Sequence, residues 1–236
     1  DGSELARLFS TVKAIVLASS LDMSRPDPAS FSGSVNWHSI LSETLSHVDV
    51  FLPSVEEILF VLYPELFSSM SEPLREINPE LLTRIGNDLL SMGPKIVGLK
   101  LGQFGLYLQT ADAHSLRTLG RALLASPENW AERQLWSPCF EVGVVGTTGA
   151  GDATIAGFLA SLLRGSSPED AANLACAVGA CNVEASDALS GIRTWPETLD
   201  RLNSAWSRHD LPFDMLGWDY SLDTGLWIGP SDASLR

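Results

Sequence analysis

A chain of 236 residues can bury one sizeable core or two small ones, and 45% hydrophobic with 19% charged residues makes it a folding sequence, not a disordered one. The formal net charge of −14 argues against nucleic acid or an anionic membrane as the main partner, so an anionic ligand needs a local site with its own positive field. No apolar run approaches the ~20 residues of a membrane span. Cys139, Cys176 and Cys181 are an odd number without ligand spacing, and read as small apolar residues in a reduced, cytoplasmic setting. The four histidines are scattered, and no metal cluster is legible among them.

In chain order, Leu5, Leu8, Phe9 and Val12 have helical spacing over Ser3 to Val12. The run from Ala14 to Leu21 reads as a buried strand ending at Asp22. A polar loop broken by Pro26 and Pro28 follows. Trp37, Ile40, Leu41 and Leu45 mark a helix. Val48 to Leu52 reads as a short strand, and a helix after Pro53 carries Glu56 and Glu57. Pro64 to Pro79 is a loop with a short helix. Glu80 to Met92 is a helix with Leu81, Leu82, Ile85, Leu89 and Met92 on one face.

Lys95 to Lys100 is a strand, Gly102 and Gly105 make a turn, and Leu106 to Leu108 pairs back. Residues 111–133 carry little pattern. Gln134 to Val145 reads as strands leading into the loop before Ala150. Ser167, Pro168, Glu169 and Asp170 start a helix rich in Ala and Gly, with a cap residue, proline at the first position and acids in the first turn. Pro196 to Trp206 is the last helix, and Trp218 to Ile228 a terminal hairpin around Asp223-Thr224-Gly225. Strands alternating with helices predict one three-layer α/β/α domain over 1–236 with a mostly parallel sheet. Ligands of such sheets bind beyond the carboxyl ends of the strands. Asp22, Glu57, Lys100 and Asp152 all closely follow apolar strands and are expected along that edge.

The stretch Thr147-Thr148-Gly149-Ala150-Gly151-Asp152 carries the chemistry. Ile155, Phe158, Leu159, Leu162 and Leu163 after it form an apolar helical stripe, so a small-residue loop opens directly onto a helix N-terminus. Small residues admit a ligand to the backbone. The free N–H groups of a first helical turn and the positive end of the helix dipole form an anion site. Asp152 stands at its mouth. No Gly-Lys-Ser/Thr follows and no lysine sits in the loop, so this is not a P-loop.

The string T-T-G-A-G-D with its helix resembles the signature of the ribokinase (PfkB-type) carbohydrate kinase family, and the remaining chain is similar to that family in order. The resemblance implies a ribokinase-like fold. It makes Gly149, Ala150 and Gly151 an anion hole and Asp152 the base that activates a sugar hydroxyl. Val48 to Glu57 resembles the family's strand followed by N-x-x-E, with Ser54 in place of Asn. This implies that Glu57 helps to place Mg2+, although a first-turn glutamate favoured by the helix dipole explains it equally well. Lys100 to Gly105 resembles the T-x-G-x-x-G turn that contacts the nucleotide, with Lys100 in place of Thr. That assigns Lys100, Gly102 and Gly105 to the nucleotide. Cys176 to Asn182 with Gly191-Ile192 resembles the helix and loop flanking the adenine, assigning Cys176 and Asn182 there. Asp22 to Arg25 resembles a place where family members carry Asp and Arg.

The implied activity is ATP-dependent phosphorylation of a small-molecule sugar, with ATP and Mg2+. A non-catalytic nucleotide- or sugar-binding protein on the same scaffold and a nucleoside kinase of the family are the alternatives. The family's usual N-terminal portion has no counterpart here, so the chain is expected to correspond to the C-terminal two-thirds of the fold. The first helix has no incoming strand, which predicts a bare sheet edge that a second copy could cover as a homodimer.

Overall fold

The computed structural model describes residues 2–120, 124 and 126–235. The strands are β1 (Ser20–Leu21), β2 (Val50–Phe51), β3 (Ile96–Lys100), β4 (Leu106–Thr110), β5 (Gln134–Ser137), β6 (Asp219–Ser221) and β7 (Leu226–Ile228). They form one sheet in the order β1-β2-β3-β4-β5-β7-β6. The longer helices are α1 (Ser3–Ala14), α2 (Trp37–Leu45), α3 (Val55–Leu62), α4 (Pro64–Ser69) and, after the four-residue α5 (Pro73–Glu76), α6 (Pro79–Ser91). The short α7 (Ala113–Leu116) and α8 (Pro127–Trp130) precede α9 (Ala150–Leu163), α10 (Pro168–Asn182) and α11 (Trp195–Leu202).

The expected mostly parallel sheet is a mixed one. β1, β2 and β3 pair in parallel, whereas β4 runs back beside β3 and every later pairing is antiparallel. The cause is the length of the connections. Helices cross over between the first three strands, but Gly102–Phe104 is a single 3-10 turn, and a turn that short permits only a hairpin. Gly105, at φ 89°, sits where a Cβ would lie 2.0 Å from the Ser137 carbonyl oxygen, so this turn requires glycine. The terminal hairpin β6–β7 forms as expected and adds to the sheet beside β5.

Alternation along the strands divides the core into two layers. Val50, Ile96, Leu106, Leu108 and Leu135 pack with Phe158 and Leu162 of α9 and the alanines of α10. Phe51, Val97, Leu99, Tyr107 and Trp136 face the other way, onto α2, α3 and α6. Small residues bring α9 and α10 together: a Cβ on Gly157 would lie 2.9 Å from the Leu174 carbonyl oxygen.

Two expectations fail at the ends of elements. The run from Ala14 to Leu21 is not a buried strand. Helix α1 takes Ala14, Val16 turns the chain at φ 60°, Ile15 and Val16 are exposed, and only Ser20–Leu21 joins the sheet. Apolar composition alone does not distinguish a strand from a helix end followed by a turn. Among the described residues β1 pairs on one side only, with β2. In the second case, the stretch from Gln134 to Val145 keeps strand geometry only through Ser137, apart from an isolated bridge from Phe140 to Arg208.

Candidate active site

The carboxyl ends of β1, β2, β3 and β5 point the same way, because β3 and β5 both run antiparallel to β4. The loop from Pro138 leads from β5 to α9 at that edge. Gly149 caps α9 in the left-handed region at φ 77°. Of the four N–H groups at the loop and helix start, that of Ala150 donates to the Thr147 carbonyl at 3.2 Å, a partner it would have to leave to serve the anion hole expected of it. The N–H groups of Gly149, Gly151 and Asp152 donate to no group among the described residues. Three open donors thus stand together at the positive end of a fourteen-residue helix. Asp152 is exposed at the third position of that helix.

A second loop braces this one. A Cβ on Gly149 or Gly146 would meet Ala188 or the backbone of Ala185 and Ser186 at about 3 Å. The amides of Val145 and Gly146 both donate to the Val183 carbonyl, at 2.8 and 3.2 Å. Asn182 is fully buried, and its side-chain amide donates to the Ala188 carbonyl at 2.7 Å. Asn182 is therefore attached to the bracing loop and does not line the cavity described below, where the adenine-flanking assignment would put it.

Lys100 ends β3 and is tied to the end of β2 by its amide, which donates to the Pro53 carbonyl at 2.9 Å. Its ammonium group donates to both carboxylate oxygens of Asp22, at 2.8 and 2.9 Å. A Cβ on Gly151 would lie 3.6 Å from Lys100 Nζ, so the lysine runs alongside the glycine loop. Glu57 belongs to the same group of charges. Burial pushes its carboxyl above the ordinary value, opposed by the Ser54 hydrogen bonds and the Lys100 charge and reinforced by Asp22. Four residues distant in sequence thus meet at one edge.

Ser54 and Glu57 form a capping box: the Ser54 amide donates to Glu57 Oε2 at 2.7 Å, and the Glu57 amide to Ser54 Oγ at 3.3 Å. Glu57 Oε1 carries no hydrogen bond among the described residues. No cluster of three or more His, Cys, Asp or Glu side chains able to hold a metal occurs among the described residues. A lone carboxylate oxygen fits Mg2+, which keeps most of its waters and takes few protein ligands.

A cavity of about 390 Å³ runs from this edge between the Gly102–Gly105 turn and α9–α10. Lys100, Gly102, Gly105, Ala150, Gly151 and Cys176 all line it, so the structure gathers most of the residues the sequence put forward. Burial pushes the Cys176 thiol up, and that of Cys139 up to about 12, which leaves both as uncharged wall. A larger cavity of about 720 Å³ lies between α6 and residues 214–218, away from the loop, and holds none of these groups.

Phe140, Val142, Val144, Val183 and His209 also line the smaller cavity, outside the segments the sequence put forward. The apolar ones carry only the signal of lying on either side of T-T-G-A-G-D. His209 arrives on the C-terminal segment, where Trp206 stacks on Phe140 at 4.3 Å and the Arg208 guanidinium lies over the Phe140 ring at 4.1 Å. No local pattern announces that contact.

A profile described as pfkB family carbohydrate kinase matches residues 29–195, which includes the loop, Lys100 and Glu57. Among solved structures, Arabidopsis thaliana ribokinase complexed with ribose and ATP is 20% identical, with a TM-score of 0.58 over 86% of this chain and 53% of that one. Aminoimidazole riboside kinase from Salmonella enterica, complexed with aminoimidazole riboside and an ATP analog, is 19% identical, with a TM-score of 0.58 over 84% and 56%. Phosphofructokinase-2 from Escherichia coli in complex with potassium is 16% identical, with a TM-score of 0.59 over 86% and 52%. The chain spans about half the length of these structures. Among the described residues no helix is long and apolar enough to cross a membrane. With the matched profile covering most of the chain, including its glycine loop, the protein belongs to the pfkB family of carbohydrate kinases.

Proposed function

We propose that this chain carries the phosphoryl-transfer half of an ATP-dependent kinase that phosphorylates a sugar hydroxyl. The observation that carries the reading is the start of α9: three unbonded N–H groups, a left-handed glycine cap and a carboxylate at the third helical position, all beside a lysine. In the proposed step the acceptor oxygen bonds to the γ-phosphorus and the bond to the β–γ bridging oxygen breaks. ADP leaves with that electron pair, and the hydroxyl proton passes to the Asp152 carboxylate. The N–H groups of Gly149, Gly151 and Asp152 stabilise charge on the transferring oxygens. The triphosphate lies along the glycine loop, and the base and ribose occupy the cavity walled by Cys176 and the Gly102–Gly105 turn. Glu57 would hold Mg2+ through waters, and that ion supplies charge neutralisation across the phosphates.

The test is transfer of labelled γ-phosphate from ATP to a panel of pentoses, hexoses and ribonucleosides. Acceptor-dependent ADP release is expected, falling by about 10²–10⁴-fold in Asp152→Asn, the usual worth of a positioned base. Near-normal turnover in that variant overturns the assignment of the base. A ribonucleoside as preferred acceptor replaces the sugar with a nucleoside. ATP binding without transfer to any acceptor points to a non-catalytic binding protein.

A further inference from the structure

We propose that Asp22 and Lys100 form a resident ion pair that the terminal phosphate of the bound nucleotide opens, Lys100 leaving its carboxylate for the phosphate and Asp22 acting as the competing counter-ion. The inference rests on the nucleotide reading of the cavity above and assigns the charge at its phosphate end.

Three observations carry it. First, Lys100 is fixed at its root by backbone bonds, and its tip is held by Asp22. Its backbone is held by the Pro53 carbonyl and a parallel bridge to Ser54, while the side chain is mostly buried, 13% exposed. The ammonium group therefore has a small arc of reach from a rigid strand end, the arrangement that limits the ordering cost of a flexible lysine stem.

Second, that arc includes the anion loop. Nζ, Cε and Cδ of Lys100 lie 3.6 to 3.9 Å from the point where a Gly151 Cβ would be, so the stem lies along the glycine that exposes its N–H. An oxyanion seated on the open N–H groups of Gly149, Gly151 and Asp152 arrives within reach of Nζ. An ammonium group bonded to one carboxylate through two oxygens, at 2.8 and 2.9 Å, keeps a proton for a further acceptor.

Third, the present partner is replaceable. Asp22 lies outside the sheet, one residue past the two-residue strand β1, and its side chain is 31% exposed, so water screens the pair. A terminal phosphate carries more charge than a carboxylate and brings three acceptor oxygens. It outcompetes Asp22 for Lys100, whereas a nucleoside monophosphate, whose only phosphate lies two positions short of the terminal one, does not reach the lysine.

The experiment is calorimetric titration of the whole chain with ATP, ADP and AMP, with melting temperatures measured alongside. Lys100→Met is expected to weaken ATP by roughly 10–100-fold and AMP by less than threefold, with Lys100→Arg recovering part of the loss. Asp22→Asn keeps an acceptor for Nζ but removes the competing charge, so it is expected to tighten ATP severalfold and leave AMP unchanged. A merely structural pair moves both variants in the same direction, lowering the melting temperature and weakening all three nucleotides alike, and that result overturns the proposal. If Lys100→Met does not fold, Asp22→Asn decides alone: unchanged or weaker ATP affinity overturns it. If the unaltered chain binds ATP yet its ATP-to-AMP ratio matches that of Lys100→Met, only the assignment of Lys100 fails. If the unaltered chain binds neither ATP nor tripolyphosphate, the nucleotide reading fails and takes this assignment with it.

Discussion

Gly149 and Ala188 are in such close apposition that a Cβ on Gly149 would lie 2.8 Å from the Ala188 Cβ. Gly149 also holds φ at 77°, a region that side chains occupy only under strain. Two independent constraints thus fall on one glycine. Gly149→Ala is expected to destabilise the fold by roughly 1–3 kcal/mol from the backbone alone, with the collision added. Urea unfolding measures it. A midpoint within error of the parent refutes the brace between the two loops.

Gly151 gives the opposite expectation. Its nearest non-local neighbour would be 3.6 Å from an added Cβ, an ordinary contact, and it lies within α9 with no positive φ. Gly151→Ala is therefore expected to leave stability unchanged or raise it by about 0.5–1 kcal/mol through helix propensity. The same methyl group stands beside the open N–H, so affinity for ATP and for inorganic phosphate falls. Titration of a well-folded Gly151→Ala with unchanged ATP affinity removes Gly151 from the anion site.

Glu57 caps the start of α3 and is proposed to help place Mg2+, and one substitution separates the two. Glu57→Gln retains a side-chain oxygen for the Ser54 amide, so the capping box survives and the melting temperature moves by little, consistent with a dipole contribution of ~0.3–1 kcal/mol. If Oε1 helps to place Mg2+, the magnesium concentration needed for half-maximal ADP release rises by more than the sugar concentration does. Magnesium titrations of variant and parent that overlay leave Glu57 as a cap alone.

At the opposite end of the strands Asp49 is fully buried between Lys13 and Lys95, the latter at 2.9 Å, and accepts the Ser19 amide at 3.0 Å. Burial pushes its carboxyl up, but the two ammonium groups outweigh this and hold it below the ordinary 3.8. Lys95 is itself pushed down, because burial and the neighbouring Lys13 outweigh the attraction of Asp49. The Asp49 contribution to stability is thus complete above the unfolded carboxylate value of about 4 and is lost as pH falls through the lower folded value. Asp49→Asn is expected to flatten the decline in melting temperature below pH ~4 and to be less stable than the parent near pH 7, since the buried Lys95 ammonium group and the partly exposed Lys13 lose their partner. An identical acid decline in both proteins rejects Asp49 as its source.

The loop-to-helix junction, the turn at Gly102–Gly105, the cap at Ser167 and the terminal hairpin were all legible in the sequence, because each is specified within a few residues by glycine, proline, capping side chains or apolar period. The Ser54–Glu57 capping box has a local signature too, Ser-x-x-Glu before an apolar run. Short-range order stopped at Ala14 to Leu21, where apolar content is the same for a strand as for a helix end with an exposed turn. Short turns fix two of the four antiparallel pairings, β3–β4 and β6–β7, and the sequence announced both as hairpins. Which partners side chains find across the fold was decided by tertiary structure alone. Lys100 and Asp22 lie 78 residues apart, Phe140 meets Trp206 across the C-terminal segment, and Asn182 turns away from the cavity to hold Ala188. Local sequence sets backbone conformation because steric and hydrogen-bonding limits act over a turn or two. A charge pair or a cavity wall depends on strand order, and only the assembled sheet fixes that.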